Sequence, residues 1–341
     1  MKFIKYLFFL LLIAIIGAAI YIAVQPNEFN ITRTRTMNVP ASVVYNNVID
    51  YKNWPAWSSW IEKNPDTKIT FPEQTNGVGG SYSWEDEDGI GKMTTINTAE
   101  NEFITQHMQF DDFPPSEVSW NFNPIENGST QVIWNISGKD LPFMFKMYST
   151  FIGGMEKNIG PDFERGLEKL DSIAVESMKA YSIVINGETT HSGGFYLYNT
   201  TSCKISEFES KMAEMLSKVG QYAMTNNIPM AGAPFVYFHK WDAKNDATIF
   251  SCCVPTPNQV ITTTESGILT GQLEPFKAIN TTLKGNYSNR KEAWDKTMKF
   301  IIDSHYEFIP ENSPMLEVYQ TDPMNAPNPA DWITQIYIAV K

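Results

Sequence analysis

A glutamate and a tyrosine lie two residues apart near the C-terminal end of the chain, inside the otherwise apolar segment PMLEVY. Because successive side chains of a strand point to opposite faces, Glu317 and Tyr319 share one face, and Leu316 and Val318 share the other. A carboxylate beside an aromatic ring suits a cation, and a buried carboxylate beside a tyrosine hydroxyl suits general-base catalysis. The residues alone favour the interpretation that Glu317 and Tyr319 face water and that Leu316 and Val318 face the core, since an ionised glutamate is rarely buried unpaired.

Outside this segment, few residues have catalytic or metal-binding spacing. The four histidines lack metal-ligand spacing, and neither HExxH nor GxSxG is present. Three cysteines are too few for a disulfide framework. We expect Cys252 and Cys253 to be small buried side chains, with pairing to Cys203 outside the cytoplasm as the alternative. The sequence therefore predicts no metal and no cofactor.

The strand that carries Glu317 belongs to the second copy of a weak internal repeat. The first copy has apolar residues at helical spacing over 208–223, and the second has them over 294–302. Each copy has the order strand, helix, loop, proline-led strand, turn and strand. We therefore expect two βαββ units with a ligand groove between them. Aligning the two prolines that lead these strands places Tyr237 opposite Glu317.

The first half of the chain predicts an antiparallel sheet closed by a long helix. Its order is one strand, two short helices, several strands with period-two alternation, and a helical pattern over 143–178 that Gly153-Gly154 and Gly160-Pro161 kink or interrupt. The last helix must cover the apolar face of the sheet. Six of the nine tryptophans fall between residues 54 and 134, which indicates a bulky core or an aromatic-lined cavity. The candidate cavity residues are Trp84, Phe110, Trp120 and Trp134.

The N-terminal region contains an uncharged run of 19 residues from Tyr6 to Val24. As a helix it would be about 28 Å long, close to the hydrocarbon thickness of a bilayer. Lys2 and Lys5 precede it, so the positive-inside rule keeps the N-terminus cytoplasmic and places the rest in the periplasm, although basic residues beyond the run weaken this orientation. A cleaved signal peptide with the small residues Gly17-Ala18-Ala19 is the alternative. We expect a single uncleaved membrane span.

Composition excludes some classes of partner. The chain has 341 residues, more than one core usually accommodates, so we expect two domains, 29–176 and 180–341, behind an anchor at 1–28. The hydrophobic fraction of 43% is large enough to exclude long-range disorder. With 26 basic and 38 acidic residues, the net charge is −12. An acidic surface repels phosphate backbones, so we expect no nucleic-acid partner.

Residues 29–176 resemble the START-like family, which is also called SRPBCC or polyketide-cyclase-like. The resemblance rests on TRTMNVPASVVYNNVIDYKNWPAWSSW, followed by strands and by GPDFERGLEKLDSI. It implies a helix-grip fold, in which a curved antiparallel sheet wraps around a long C-terminal helix and encloses an apolar pocket. Members of the family bind lipids, hormones and polyketides or assist partners, so the resemblance implies a fold rather than a reaction.

Residues 180–341 resemble the gyrase-inhibitor-like (GyrI-like) effector-binding fold, which forms the ligand-sensing half of many AraC- and MerR-type regulators. The resemblance rests on GAPFVYFHKWD, LKGNYSNRKEAWDKTMKFI and SPMLEVYQTDP. It implies that Glu317 meets a cationic, hydrophobic ligand between aromatic walls. The candidate walls are Tyr319, Tyr287 and Trp332, and Tyr237 joins them through the repeat.

The sequence also departs from that family. Gln335 stands where a glutamate is frequent, which reduces the negative charge available to a cation, and helix-turn-helix segments are absent. Some members resemble hydrolases that use a glutamate and a tyrosine. We therefore expect a membrane-anchored α+β protein that binds a hydrophobic or amphipathic, and in the second domain cationic, small molecule. The alternatives are a hydrolase using Glu317 and Tyr319, and a non-catalytic scaffold in which side chains fill both pockets.

Overall fold

The computed structural model describes residues 2–87, 89–308, 313–323 and 325–341. The chain divides into two compact units, Met1–Ser177 and Met178–Lys341. Each unit combines helices with one antiparallel sheet, and an apolar helix precedes the first sheet. The molecule is therefore of the α+β class that the sequence predicts.

The first unit is built around a seven-stranded sheet within the described residues. Its helices are α1 (Lys2–Ala23), α2 (Ala41–Ile49), α3 (Trp54–Trp57), α4 (Ser59–Lys63), α5 (Phe143–Phe151) and α6 (Met155–Ser177). Its strands are β1 (Phe29–Met37), β2 (Lys68–Thr70), β3 (Ser81–Asp86), β4 (Gly89–Ala99), β5 (Phe103–Phe110), β6 (Ser116–Pro124) and β7 (Thr130–Gly138). They form an antiparallel sheet in the order β1-β7-β6-β5-β4-β3-β2. Alternate residues of β6 and β7 are buried, which is the period-two pattern read from the sequence.

The long closing helix is divided into α5 and α6. Gly153 and Gly154 lie between them with φ angles of 85° and 100°, a backbone conformation that ends a helix and that glycine adopts without steric cost. Pro161, in contrast, lies inside a continuous α6. α6 packs on β1 and on α2 to α4, and its Phe163 stacks on Trp134 of β7 at 3.7 Å between ring centroids. The helix thus covers the sheet, as predicted.

Helix α1 has the length and composition of a membrane span. Among the described helices it alone passes this test, over Phe3–Ala23, and almost all of its side chains are exposed. Ile22 is the exception, because it is buried in the last turn, where α1 contacts α5. A signal sequence has the same length and composition, so both sequence-based interpretations fit this helix.

The second unit is built around an eight-stranded sheet within its described residues. Its helices are α7 (Phe208–Thr225) and α8 (Arg290–Asp303). Its strands are β8 (Ser182–His191), β9 (Gly194–Cys203), β10 (Phe235–Asp242), β11 (Ala247–Thr256), β12 (Leu269–Leu273), β13 (Phe276–Lys284), β14 (Met315–Tyr319) and β15 (Ile333–Ala339). The strand order β12-β9-β11-β10-β14-β15-β13-β8 is symmetrical about the central β10–β14 pair. The predicted internal repeat is therefore present in the fold.

Each copy of the repeat has one strand more than the predicted βαββ unit. The additional strands are β8 in the first copy and β12 in the second. Each of these strands pairs with a strand of the other copy: β8 pairs with β13 of the second copy, and β12 pairs with β9 of the first. The two copies are therefore interlocked through their outermost strands.

The repeat alignment that placed Tyr237 opposite Glu317 is wrong. β10 and β14 run antiparallel, with Val236 paired with Glu317 and Tyr237 paired with Leu316. Paired residues lie on the same face of a sheet, so Tyr237 lies on the face opposite Glu317. The two copies of the repeat are related by a two-fold axis perpendicular to the sheet. Such an axis moves each residue to a position on the same face of the sheet, so it cannot relate Tyr237 to Glu317. An alignment error of one residue is enough to transfer a side chain to the wrong face.

The three cysteines are free thiols, so the pairing with Cys203 is not formed. Cys252 and Cys253 are buried in apolar clusters on opposite faces of β11, which confirms that they are small core residues. Burial raises the pKa of both thiols, to about 12 for Cys252. Both therefore stay protonated and behave as hydrophobic side chains.

Candidate functional site

An apolar cavity lies in the first unit between the sheet and the helices α4, α5 and α6. Its volume is about 220 Å³, larger than the ~150 Å³ at which a dry apolar cavity already binds benzene. Polar side chains such as Asn64 and Ser116 are a minority of its wall. The apolar majority includes Trp60, Trp84, Met108, Phe110, Phe113 and Phe145. A wall of this composition suits a largely apolar ligand.

The four aromatic residues predicted for the cavity fall into two pairs. Trp84 of β3 and Phe110 of β5 line it. Trp120 of β6 and Trp134 of β7 are fully buried in the packed core instead, stacked on each other at 4.2 Å between ring centroids. The two tryptophans of α3 pack edge-on against this stack and fill the space in front of it. Both interpretations of the tryptophan-rich region are therefore correct, each for different residues.

A buried hydrogen-bond chain holds the core beside the cavity. Trp120 Nε1 donates to Gln106 Oε1 at 3.1 Å, and Gln106 Nε2 donates to the Tyr51 hydroxyl at 3.0 Å. That hydroxyl lies 3.0 Å from Thr95 Oγ1. Burial raises the pKa of Tyr51, so it stays protonated. These groups satisfy one another and stabilise the core rather than offering a polar partner to a ligand.

In the second unit, Glu317 is only 2% exposed, and both of its carboxylate oxygens accept hydrogen bonds. Trp294 Nε1 of α8 donates to Oε1 at 2.5 Å, and the Tyr319 hydroxyl donates to Oε2 at 2.6 Å. Arg290 Nη1 lies 3.5 Å from Oε2. These four residues are called the Glu317 site below. The prediction that Glu317 and Tyr319 face water is wrong, because three donors compensate the buried carboxylate.

Arg290, the first residue of α8, supplies the positive charge of this site. Its Cζ lies 5.0 Å from the ring centroid of Phe208 and 5.8 Å from that of Tyr287. Its Nη2 lies 2.9 Å from Glu209 Oε1 at the surface. Burial disfavours the charge of the guanidinium, but Glu317, Tyr319 and Glu209 together outweigh that effect and raise the pKa of Arg290. The chain therefore places its own cation where the resemblance implies the charge of a ligand.

The aromatic residues predicted around the glutamate are brought together in part. Tyr319 lies edge-on to Tyr287 at 5.3 Å, and Tyr287 lies against Trp332 at 4.6 Å, between ring centroids. Burial raises the pKa of Tyr287 to about 12 and that of Tyr319 well above its usual value. Tyr237 lies on the other face, beside His239, and is not part of this cluster.

Sequence reasoning does not assign three side chains of this region to the site: Arg290, Trp294 and Met212. The sulfur of Met212 on α7 lies 2.9 Å from the Tyr319 hydroxyl, so both helices reach the site. The repeat predicts that α8 covers the strand of Glu317, and a buried glutamate needs a positive partner. A cationic residue in the first turn of α8 is therefore the signal that could have identified Arg290.

This geometry restricts the chemistry of Glu317. A general base must take a proton from a bound molecule. Here both carboxylate oxygens already accept hydrogen bonds, and the guanidinium group of Arg290 lies 3.5 Å from Oε2, so neither oxygen is free for a bound molecule. Hydrolysis through Glu317 and Tyr319 would require Arg290 to leave. The arrangement instead suits the binding of a cation, and in this structure that cation is the guanidinium group of Arg290.

No protein-family model matches the sequence, and no curated protein matches it. Several solved structures match it at low identity. The C-terminal domain of EcmrR is 16% identical, with 47% of this chain and 98% of that chain covered and a TM-score of 0.41. EcmrR in a complex with DNA is 15% identical, with 58% and 70% covered and a TM-score of 0.41. A START superfamily protein from Mycobacterium smegmatis is 18% identical, with 43% and 97% covered and a TM-score of 0.33.

Proposed function

We propose that the protein is anchored in a membrane by α1 and binds a hydrophobic or amphipathic small molecule in the cavity of its first unit. The cavity itself carries the proposal, because it is open space of about 220 Å³ with a mainly apolar wall. Each Å² of apolar surface that a ligand buries there contributes about 25 cal/mol, so shape and apolar area decide affinity more than charge does. Lys2 and Lys5 favour a cytoplasmic N-terminus, with both units in the periplasm.

Filling the cavity should weaken binding. Ser116 is buried on the cavity wall, so Ser116→Leu places a larger side chain in the ligand space. Ser119 lies on the opposite face of the same strand, so Ser119→Leu is the matched control. The full chain in detergent is titrated with 1-bromooctane, whose bromine quenches indole fluorescence, since Trp60 and Trp84 line the cavity.

We expect saturable quenching in the original chain and in Ser119→Leu. In Ser116→Leu, the affinity should fall at least about tenfold, a loss of about 1.4 kcal/mol. Quenching that rises linearly with 1-bromooctane in all three proteins would mean partition into the micelle alone and would contradict binding in the cavity.

A second candidate function is the binding of a cationic small molecule at the Glu317 site. One observation favours it: a buried carboxylate beside aromatic rings already holds a guanidinium group. A ligand would have to displace Arg290, and the free energy of that displacement lowers its apparent affinity. The site would therefore select ligands that make more contacts than the arginine does.

Removing the arginine should open this site to an external cation. Arg290→Ala leaves Glu317 buried without its positive partner, and breaking a buried ion pair typically costs about 3–5 kcal/mol. Millimolar methylguanidinium should raise the unfolding temperature of the variant by several degrees, because a ligand that binds only the native state stabilises it. Sodium chloride at equal concentration controls for ionic strength. An equal response of Arg290→Ala/Glu317→Gln would contradict binding at the carboxylate.

A further inference from the structure

Helix α5 exposes an apolar stripe at the surface of the first unit. Its sequence FMFKMYSTF places Met144, Tyr148 and Phe151 on one side of the helix, because spacings of three and four residues bring side chains to the same side. All three are exposed, Phe151 by 81%, and the exposed Phe143 lies beside them. A cluster of large apolar side chains on a short helix indicates a surface that contacts something other than water.

The stripe is next to the end of the apolar helix α1. α5 contacts α1 where Ile22 is buried, and the Lys146 ammonium group donates to the Ala23 carbonyl oxygen at 3.2 Å. Lys146 thereby satisfies one of the carbonyl groups that a helix leaves open at its C-terminus. If α1 spans a bilayer, α5 lies at the membrane surface from which the C-terminal end of α1 emerges.

The other side of α5 forms part of the cavity wall. Phe145 stacks on Phe29 at 5.8 Å and lies edge-on to Phe113 at 5.2 Å, between ring centroids, and all three line the cavity. Tyr148 lines the cavity as well, although it is 42% exposed. It therefore stands between the cavity and the surface. A single short helix separates the ligand space from the exposed stripe.

We propose that α5 is a membrane-contact helix whose stripe of Met144, Tyr148 and Phe151 lies in the bilayer interface, so that the cavity receives its ligand, an apolar chain, from the bilayer. This inference rests on the anchor and the cavity of the proposed function and adds the surface through which the ligand enters. The occupant is lipid rather than a second protein, because the stripe adjoins a helix whose exposed apolar surface matches a bilayer in length and composition. An apolar face with aromatic residues is typical of interfacial helices.

The first test measures the depth of α5 in vesicles. The full chain is reconstituted in phosphatidylcholine vesicles that contain lipids with a nitroxide on the acyl chain. Cys203→Ser removes the partly exposed native thiol, and Phe151→Cys then carries a single NBD label. Ile125→Cys is the matched control, because Ile125 is also an exposed apolar residue. Ile125 directly follows β6, at the end of the sheet where β1 ends. That end lies about 26 Å along β1 from the first residue of β1, which is the end closer to the anchor.

We expect the nitroxide lipid to quench the label at position 151 at least about fivefold more strongly than the label at position 125. Equal, weak quenching at both positions would overturn the inference. A label at position 151 that is shielded from water but not quenched would also overturn it, since protein would then cover α5. Flotation of the vesicles distinguishes these results from a failure of the anchor, because protein that does not float contradicts the proposed function itself.

The second test addresses ligand entry. Met144→Glu/Phe151→Glu places two charges on the stripe, and Ile125→Glu is the control. With 1-bromooctane supplied in vesicles, the quenching of the cavity tryptophans should be at least about tenfold slower in the double variant than in the control, because charged side chains are unfavourable in the bilayer interface. An unchanged rate would overturn entry through α5, even if the equilibrium binding in detergent is intact.

Discussion

Replacing Glu317 with leucine should lower the free energy of unfolding of the second unit by about 3–5 kcal/mol. The substitution removes the acceptor for Trp294 and Tyr319 and leaves Arg290, whose side chain is 11% exposed, without its buried counterion. A loss of this size is a large fraction of the stability of a typical domain. Hydrogen exchange of the amides of β14 and β15 in the full chain measures it locally.

Glu209 offers a matched control for this prediction. Its carboxylate binds the same guanidinium group, at 2.9 Å from Nη2, but its side chain is 70% exposed. Glu209→Gln should leave the stability almost unchanged, because water and salt screen an exposed ion pair. If the two substitutions cost the same, the surface pair would hold Arg290 in place, and the buried carboxylate would not be the centre of the site.

Trp134→Ala should destabilise the first unit by about 3–5 kcal/mol. Trp134 is fully buried and stacks on Trp120 and Phe163, so its removal leaves a space that the close-packed core cannot fill. Hydrogen exchange of the amides of β6 and β7 in the full chain gives the loss for this unit.

The same truncation at Trp84 is the control, because Trp84 borders space that is already open. Trp84→Ala should cost clearly less stability than Trp134→Ala, and it should weaken the quenching by 1-bromooctane instead. Equal losses of stability for the two variants would mean that Trp84 is packed in the core and does not line the cavity.

The elements of the fold could be predicted from the sequence because burial imposes a period on each of them. The alternation at Val118, Trp120 and Phe122 predicts β6, and the spacing of Phe208, Met212 and Met215 predicts the buried side of α7. The unmatched charge of Glu317 within an apolar strand likewise identifies the region of the second site. These are local signals, and each can be read within one element.

The remaining features depend on contacts between elements, which a local period does not specify. The face on which Tyr237 lies depends on the pairing register of β10 and β14, where a shift of one residue reverses the result. Whether a tryptophan lines a cavity or fills the core depends on where α3 inserts its own two rings. The pairing of Arg290 with Glu317 depends on how α8 lies over the sheet.

The exchange of the outermost strands in the second unit has a consequence for the order in which this unit folds. β8 is synthesised first, yet its partner β13 follows only after the rest of the first copy and β12. Pairing at such sequence separation is slow, because a long loop must close before its contacts form. A nascent chain that ends before β13 has no partner for β8 and exposes a strand edge that is prone to aggregation. The interlocked repeat therefore delays the folding of the second unit until β13 has been synthesised.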